Sequence, residues 1–153
     1  MKNEKGFSLI ELLIVVAIIG IIAAIAVPNL LASRRAANEA SAIGSTRTIG
    51  TAEATYQSTT GGGKEFELVL GDLNAVDGLV DAAVGGGTKS GYAFTLGGQA
   101  SGVGTATTFD IQADPQGASS GTRHFYSNES FVIYQDAAQI APARPPITGT
   151  PIE

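Results

Sequence analysis

The chain has 153 residues, a net charge of −5, only 15% charged residues, no Cys and a single His. That length fits one compact domain plus an appendage, and the missing Cys excludes disulfides and thiolate metal sites. The acidic balance and scattered basic residues give no electrostatic footprint for DNA or RNA, so no sequence-specific nucleic-acid partner is expected.

The first element is apolar. From Leu12 to Ser33 the chain carries no charge, so 22 residues separate Glu11 from Arg34. About 20 consecutive apolar residues cross a bilayer as a helix. A secretory signal peptide would use Lys2 and Lys5 as its basic region, but its apolar run is only about 7–15 residues. No small-x-small cleavage site breaks away from this helix, and Glu11 is out of place in such a signal. A plain signal anchor explains the length but neither Gly6 nor Glu11.

Those residues carry a resemblance. GFSLIELLIVVAIIGIIAAIAVPN, preceded by Lys5, resembles the class III signal of type IV pilins and pseudopilins. The likeness runs from Lys5 to about Arg35. It implies that a prepilin peptidase cuts between Gly6 and Phe7, that the new amine of Phe7 is N-methylated, and that the apolar helix is kept. The leader Met1–Gly6 carries Lys2, Glu4 and Lys5, so the mature chain falls from −5 to −6. Lys2 and Lys5 favour a cytoplasmic start, while Arg34 and Arg35 pull the other way. The resemblance implies that the body lies outside the cytoplasm.

Glu11 then needs an explanation. A charged residue at mid-membrane costs about 2.5–3.5 kcal/mol on insertion scales, and less near a helix end, so a partner is expected. Phe7 and Glu11 are four apart, which brings an intrachain pair with the Phe7 amine within reach. The resemblance implies instead a pair with the amine of a neighbouring subunit, which sets axial register during assembly. Both pairings stay open. Gly20 and Pro28 weaken the same helix. Pro28 cannot donate to the carbonyl of Ala24, a kink that membrane helices tolerate. The resemblance implies that the stretch between Gly20 and Pro28 unwinds in assembled pili.

From Ala32 to about Thr60 the pattern predicts a continuing helix with an imperfect apolar stripe at Ile43, Ile49, Ala52 and Tyr56. Gly44 and Gly50 weaken it by about 1 kcal/mol each relative to Ala. The Gly61-Gly62-Gly63 run ends it. Residues 66–73 and 74–84 read as short helical pieces, closed by Gly85-Gly86-Gly87. Then the period becomes two. GYAFTLG, TFDIQAD, TRHFYS and SFVIYQ read as four strands with short loops, hence antiparallel. Tyr92, Phe94 and Leu96 share one face of the first. Phe109 and Ile111 do so on the second, Phe125 on the third, Phe131 and Ile133 on the fourth. The tail APARPPITGTPIE holds four of the six prolines and reads as extended and exposed.

The expected fold is α+β: a long N-terminal helix packed on a small antiparallel sheet of about four strands. The expected segments are a leader at 1–6, a membrane or filament-core helix at 7–33 and its amphipathic half at 34–60. A connecting loop at 61–90, a sheet at 91–136 and a Pro-rich tail at 137–153 follow. No catalytic cluster, metal or cofactor is expected. His124 stands alone in a strand-like segment, and Asp72, Asp77 and Asp81 suit a solvated helix face better than an oxygen-ligand loop. Asn128-Glu129-Ser130 has the shape of a glycosylation sequon.

The resemblance implies a structural subunit rather than an enzyme, stored in the inner membrane and then polymerised into an extracellular pilus for adhesion, twitching motility or DNA uptake. The implied partners are other copies of the chain, the prepilin peptidase and methyltransferase, and an assembly platform with its ATPase. The alternatives are a pseudopilin of a type II secretion system and a membrane-anchored binding module that never polymerises.

Overall fold

The computed structural model describes residues 6–75, 78–99, 105–140 and 149–152. Helix α1 (Leu9–Ser58) contains Pro28 and continues through it. The chain divides into two compact units, Met1–Arg34 and Arg35–Glu153.

In the first unit α1 is apolar on every side. Such a helix has no polar face to turn to water, and no described residue of the unit covers it. Every large apolar side chain from Phe7 to Leu31 is exposed, the least so being Leu31 at 41%. The helix is long and apolar enough to cross a membrane.

In the second unit α1 buries Glu39, Ala42, Ser45, Thr46, Ile49, Gly50, Ala52, Glu53 and Tyr56. Each of these has another three or four positions along, which puts them on one face. The apolar stripe looked imperfect in sequence because polar residues share that face, while Ile43 is only partly buried. Gly50 lies under Phe131, where a Cβ would reach ordinary contact with that ring at 3.4 Å. The helix ends as the glycine run predicts. Gly61 N–H donates to Tyr56 O at 2.8 Å and Gly63 N–H to Gln57 O at 2.7 Å, with Gly62 and Gly63 at φ 61° and 79°.

Beyond α1 come β1 (Phe66–Glu67), α2 (Leu70–Ala75), α3 (Ala82–Gly85), β2 (Thr88–Lys89), β3 (Tyr92–Gly97) and β4 (Thr105–Ala106). They are followed by β5 (Asp110–Pro115), β6 (His124–Asn128), β7 (Ile133–Asp136) and β8 (Thr150–Ile152). The main sheet runs β2-β3-β5-β6-β7-β8, antiparallel throughout, and β1 pairs with β4 in a separate ribbon. The α+β reading holds, but the sheet has six strands rather than four. The four alternating segments supply β3, β5, β6 and β7. The additions are the edge strands: β2 folds back on β3 through Ser90 and Gly91, both at positive φ, and β8 joins β7 from within the Pro-rich tail. Strands of two and three residues are too short to show an alternation.

Two other expectations are corrected. Phe66 and Glu67 form a strand, because both are buried against α1 and the ribbon, so the helical piece begins at Leu70. The fourth strand begins at Ile133. Phe131 lies in the turn before it, at φ 58°, with its N–H on Asn128 O at 2.8 Å. The core joins Ile49, Leu73, Val84, Tyr92, Phe94, Phe109, Ile111 and Phe125. Leu96 is only partly buried beside it.

Candidate assembly segment at the N-terminus

Each expected site residue lies in the first unit. Gly6 is exposed with open space around it, and Phe7 is 85% exposed. Ser8 immediately precedes the first helical residue, and Glu11 is the third residue of the helix. The backbone N–H of Ser8 donates to Glu11 Oε2 at 3.0 Å. This is the carboxylate half of a capping box, which satisfies one of the amides that a helix start leaves without a partner. The carboxylate also sits where the helix dipole favours negative charge. With Gly6 still joined to Phe7, Glu11 thus has an intrachain partner that is an amide rather than an amine. The sequence reading missed Ser8, although Ser-x-x-Glu before an apolar run is the signature of such a cap.

Gly20 and Pro28 both lie inside α1. A Cβ at Gly20 would meet nothing within 4 Å, so packing in this unit gives no reason for a glycine there.

In the second unit the polar residues are absorbed by the fold. Glu39 on α1 accepts from Thr122 N–H at 2.9 Å, Thr122 Oγ1 at 3.2 Å and Arg123 Nε at 2.8 Å, and pairs with Arg123 Nη2 at 2.6 Å. Burial alone would raise its carboxyl; the Thr122 amide and the Arg123 guanidinium outweigh it and hold the group below the ordinary range. His124 is less solitary than in sequence. Its Nδ1 lies 2.6 Å from Asp114 Oδ1, and Asp114 Oδ2 accepts from Gln139 Nε2 at 2.6 Å.

Asp81 caps α3 by accepting from Ala83 and Val84 N–H and pairs with Lys89 at 2.7 Å. Asp72 lies in the first turn of α2, and Asp77 lies outside the described residues. No group of three His, Asp or Glu that could hold a metal ion occurs among the described residues. Asn128 is buried at 5% exposed, and its Oδ1 accepts from Ser130 N–H at 3.0 Å and Ser130 Oγ at 2.7 Å. The amide Nδ2, the atom that a glycan would join, lies 3.5 Å from the Tyr126 hydroxyl in the interior.

Comparison with known proteins agrees with this geometry. A family model described as the prokaryotic N-terminal methylation motif matches residues 1–27. The chain is 67% identical over 39 residues to the type IV wide pilus major component of Thermus thermophilus, covering 26% of this chain and 30% of that one. It is 39% identical over 69 residues to the type IV major pilin protein of Myxococcus xanthus, covering 45% and 31%. The chain carries the methylation motif and is similar, over part of its length, to type IV pilins.

A fimbrial protein of Pseudomonas aeruginosa is 76% identical over 29 residues, 19% of each chain. The matched stretches span less than a third of the length of each of these pilins. No solved structure matches the chain. The pilin likeness therefore rests on at most 69 matched residues, and the methylation motif lies in the segment whose Glu11 cap and uncovered apolar surface are described above.

Proposed function

We propose that the chain is a structural subunit of a type IV pilus. It is held in the inner membrane by residues 7–33, with its body outside the cytoplasm. The leader 1–6 is cut off between Gly6 and Phe7, the Phe7 amine is methylated, and copies polymerise into a surface filament. The observation that carries this reading is the contrast within one helix: uncovered from Phe7 to Leu31 and core-forming from Glu39 to Tyr56. An apolar helix surface needs either lipid or other copies around it. A methylation motif at the same end supports both in turn.

In this reading residues 34–60 dock the body, 61–90 connect, 91–136 make the sheet and 137–153 form the tail. Glu11 leaves its cap bond with Ser8 to meet a Phe7 amine during assembly, in its own chain or a neighbour's. The peptidase, the methyltransferase and an assembly platform with its ATPase are the partners this pathway requires, and the subunit performs no catalysis. The relatives described above are pilus or fimbrial proteins, which favours a pilus over a type II secretion pseudopilus or a lone membrane anchor.

Electron microscopy of sheared filaments, with mass spectrometry of their subunit, tests this. The subunit is expected to begin at N-methylated Phe7. A chain retaining Met1, or beginning near Ala32, overturns the processing. The same filaments test the unwinding of residues 20–28. Extending from about 1.5 to about 3.3 Å per residue would add slack while Glu11 holds register. A filament map with unbroken helix through Pro28 removes the unwinding and leaves a simple kink.

A further inference from the structure

Glu53 projects from the buried face of α1 and is 0% exposed. Its Oε2 accepts the backbone N–H of Glu67 at 3.0 Å. Its Oε1 is buried too and has no hydrogen-bond partner among the described residues. Facing it on β1 is a second carboxyl, Glu67, itself 6% exposed. Glu67 Oε1 accepts from Leu68 N–H at 2.8 Å and Val69 N–H at 3.1 Å. Tyr56 shares the buried face one turn along α1. No Lys, Arg or His among the described residues forms an ion pair with either carboxyl.

Two carboxylates packed in a dry site do not both ionise. Glu67 Oε1 already holds two amide donors. Glu53, with one donor and an orphan oxygen, is built to keep a proton. Burial is the main cause, and repulsion from Glu67 adds to it. Together they outweigh the Glu67 amide and lift the Glu53 carboxyl from 4.5 to about 8.

The contact is also local. β1 belongs to the small ribbon with β4 and not to the six-stranded sheet. Glu67 at once receives Glu53 through its amide and caps the approach to α2 through its side chain. Undocking β1 and the start of α2 breaks no strand pair of the main sheet, but it parts β1 from β4 and takes Phe66, Leu70 and Leu73 out of the core.

We propose that Glu53 is a proton-dependent latch between α1 and the β1–α2 segment: protonated, it keeps that segment docked, and ionised, it lets the segment leave while the main sheet stays closed. An undocked Glu53 titrates in water near its ordinary value. Docking is therefore strongest below about pH 4.5. It weakens by up to about tenfold per pH unit as the pH rises, and levels off above about pH 8.

Hydrogen–deuterium exchange on the full chain in detergent micelles, from pH 5 to 9.5, tests the latch once rates are divided by their intrinsic values. Peptides covering 64–75 are expected to open up to about tenfold more per unit to about pH 8 and then level off. Peptides covering 111–115 and 124–128 should change much less. Glu53→Gln should flatten the profile of 64–75. A flat wild-type profile, or an unchanged slope in Glu53→Gln, overturns the latch. If that variant loses protection in the sheet as well, carbon-13 titration of the wild-type Glu53 carboxyl decides. A midpoint near 8 upholds the latch, and one near 4.5 overturns it.

Discussion

The two halves of α1 obey the same hydrophobic effect with opposite results. Between Phe7 and Leu31 no large apolar side chain is hidden, whereas Tyr92, Phe109, Phe125 and Tyr126 in the second unit are at most 1% exposed. The second unit finds its cover in its own chain. The first finds no cover among its own described residues, and in the proposed function lipid or further copies supply it. Stability of the body and assembly of the segment are therefore separable properties, carried by different residues of one helix.

The sharpest way to break that separation is at Glu11. Glu11→Leu is expected to abolish filaments while leaving cleavage and the melting of the body unchanged, because every bond recorded for Glu11 lies within the first unit. Glu11→Gln refines the test. A glutamine keeps the cap to Ser8 but cannot pair as an anion with the Phe7 amine, so it too is expected to fail. Wild-type filament yield from the Gln variant, counted by electron microscopy, would assign Glu11 to the cap alone.

The converse change lies in the body. Tyr92 is fully buried, tilted against Phe125 with ring centres 5.8 Å apart, and donates its hydroxyl to Arg123 O at 2.9 Å. Tyr92→Ala should cost about 3–5 kcal/mol of body stability and leave the first unit helical in micelles. Denaturant unfolding followed by near-ultraviolet and far-ultraviolet circular dichroism reads the two separately. Simultaneous loss of both signals would join what the structure divides.

A smaller effect is expected at the clamp between α1 and the segment before β6. Glu39→Gln removes the anion that Arg123 and Thr122 hold, at a cost of about 1–3 kcal/mol near pH 7. The sign follows from its lowered carboxyl. A depressed native value gives stability that is present above the unfolded value, near 4.5. That stability is lost as the pH falls through the native one. The gap in melting temperature between wild type and Glu39→Gln should therefore narrow toward pH 3. A gap that widens in acid would refute the clamp. Glu53 acts in the opposite sense, since its contribution fades as the pH rises toward about 8.

What the sequence by itself determined is whatever is written in neighbouring residues. The methylation motif, the span-length apolar run, the Ser8–Glu11 cap spacing, the glycine stop at 61–63 and the four alternating strands are all local. Each depends on covalent order or on a period of two or 3.6. What only the tertiary structure decided joins residues far apart in the chain. Glu39 meets Arg123 across 84 positions, and the short strands β2 and β8 exist because a longer neighbour offers them an edge. Nothing in the stripe of Ile49, Ala52 and Tyr56 marks Glu53 as buried, yet its carboxylate meets the amide of Glu67 on β1, and nothing in the sequon shows that Asn128 is enclosed. Burial is set by what the rest of the chain brings to a residue, so a polar residue's own neighbours in sequence carry no sign that it will be enclosed.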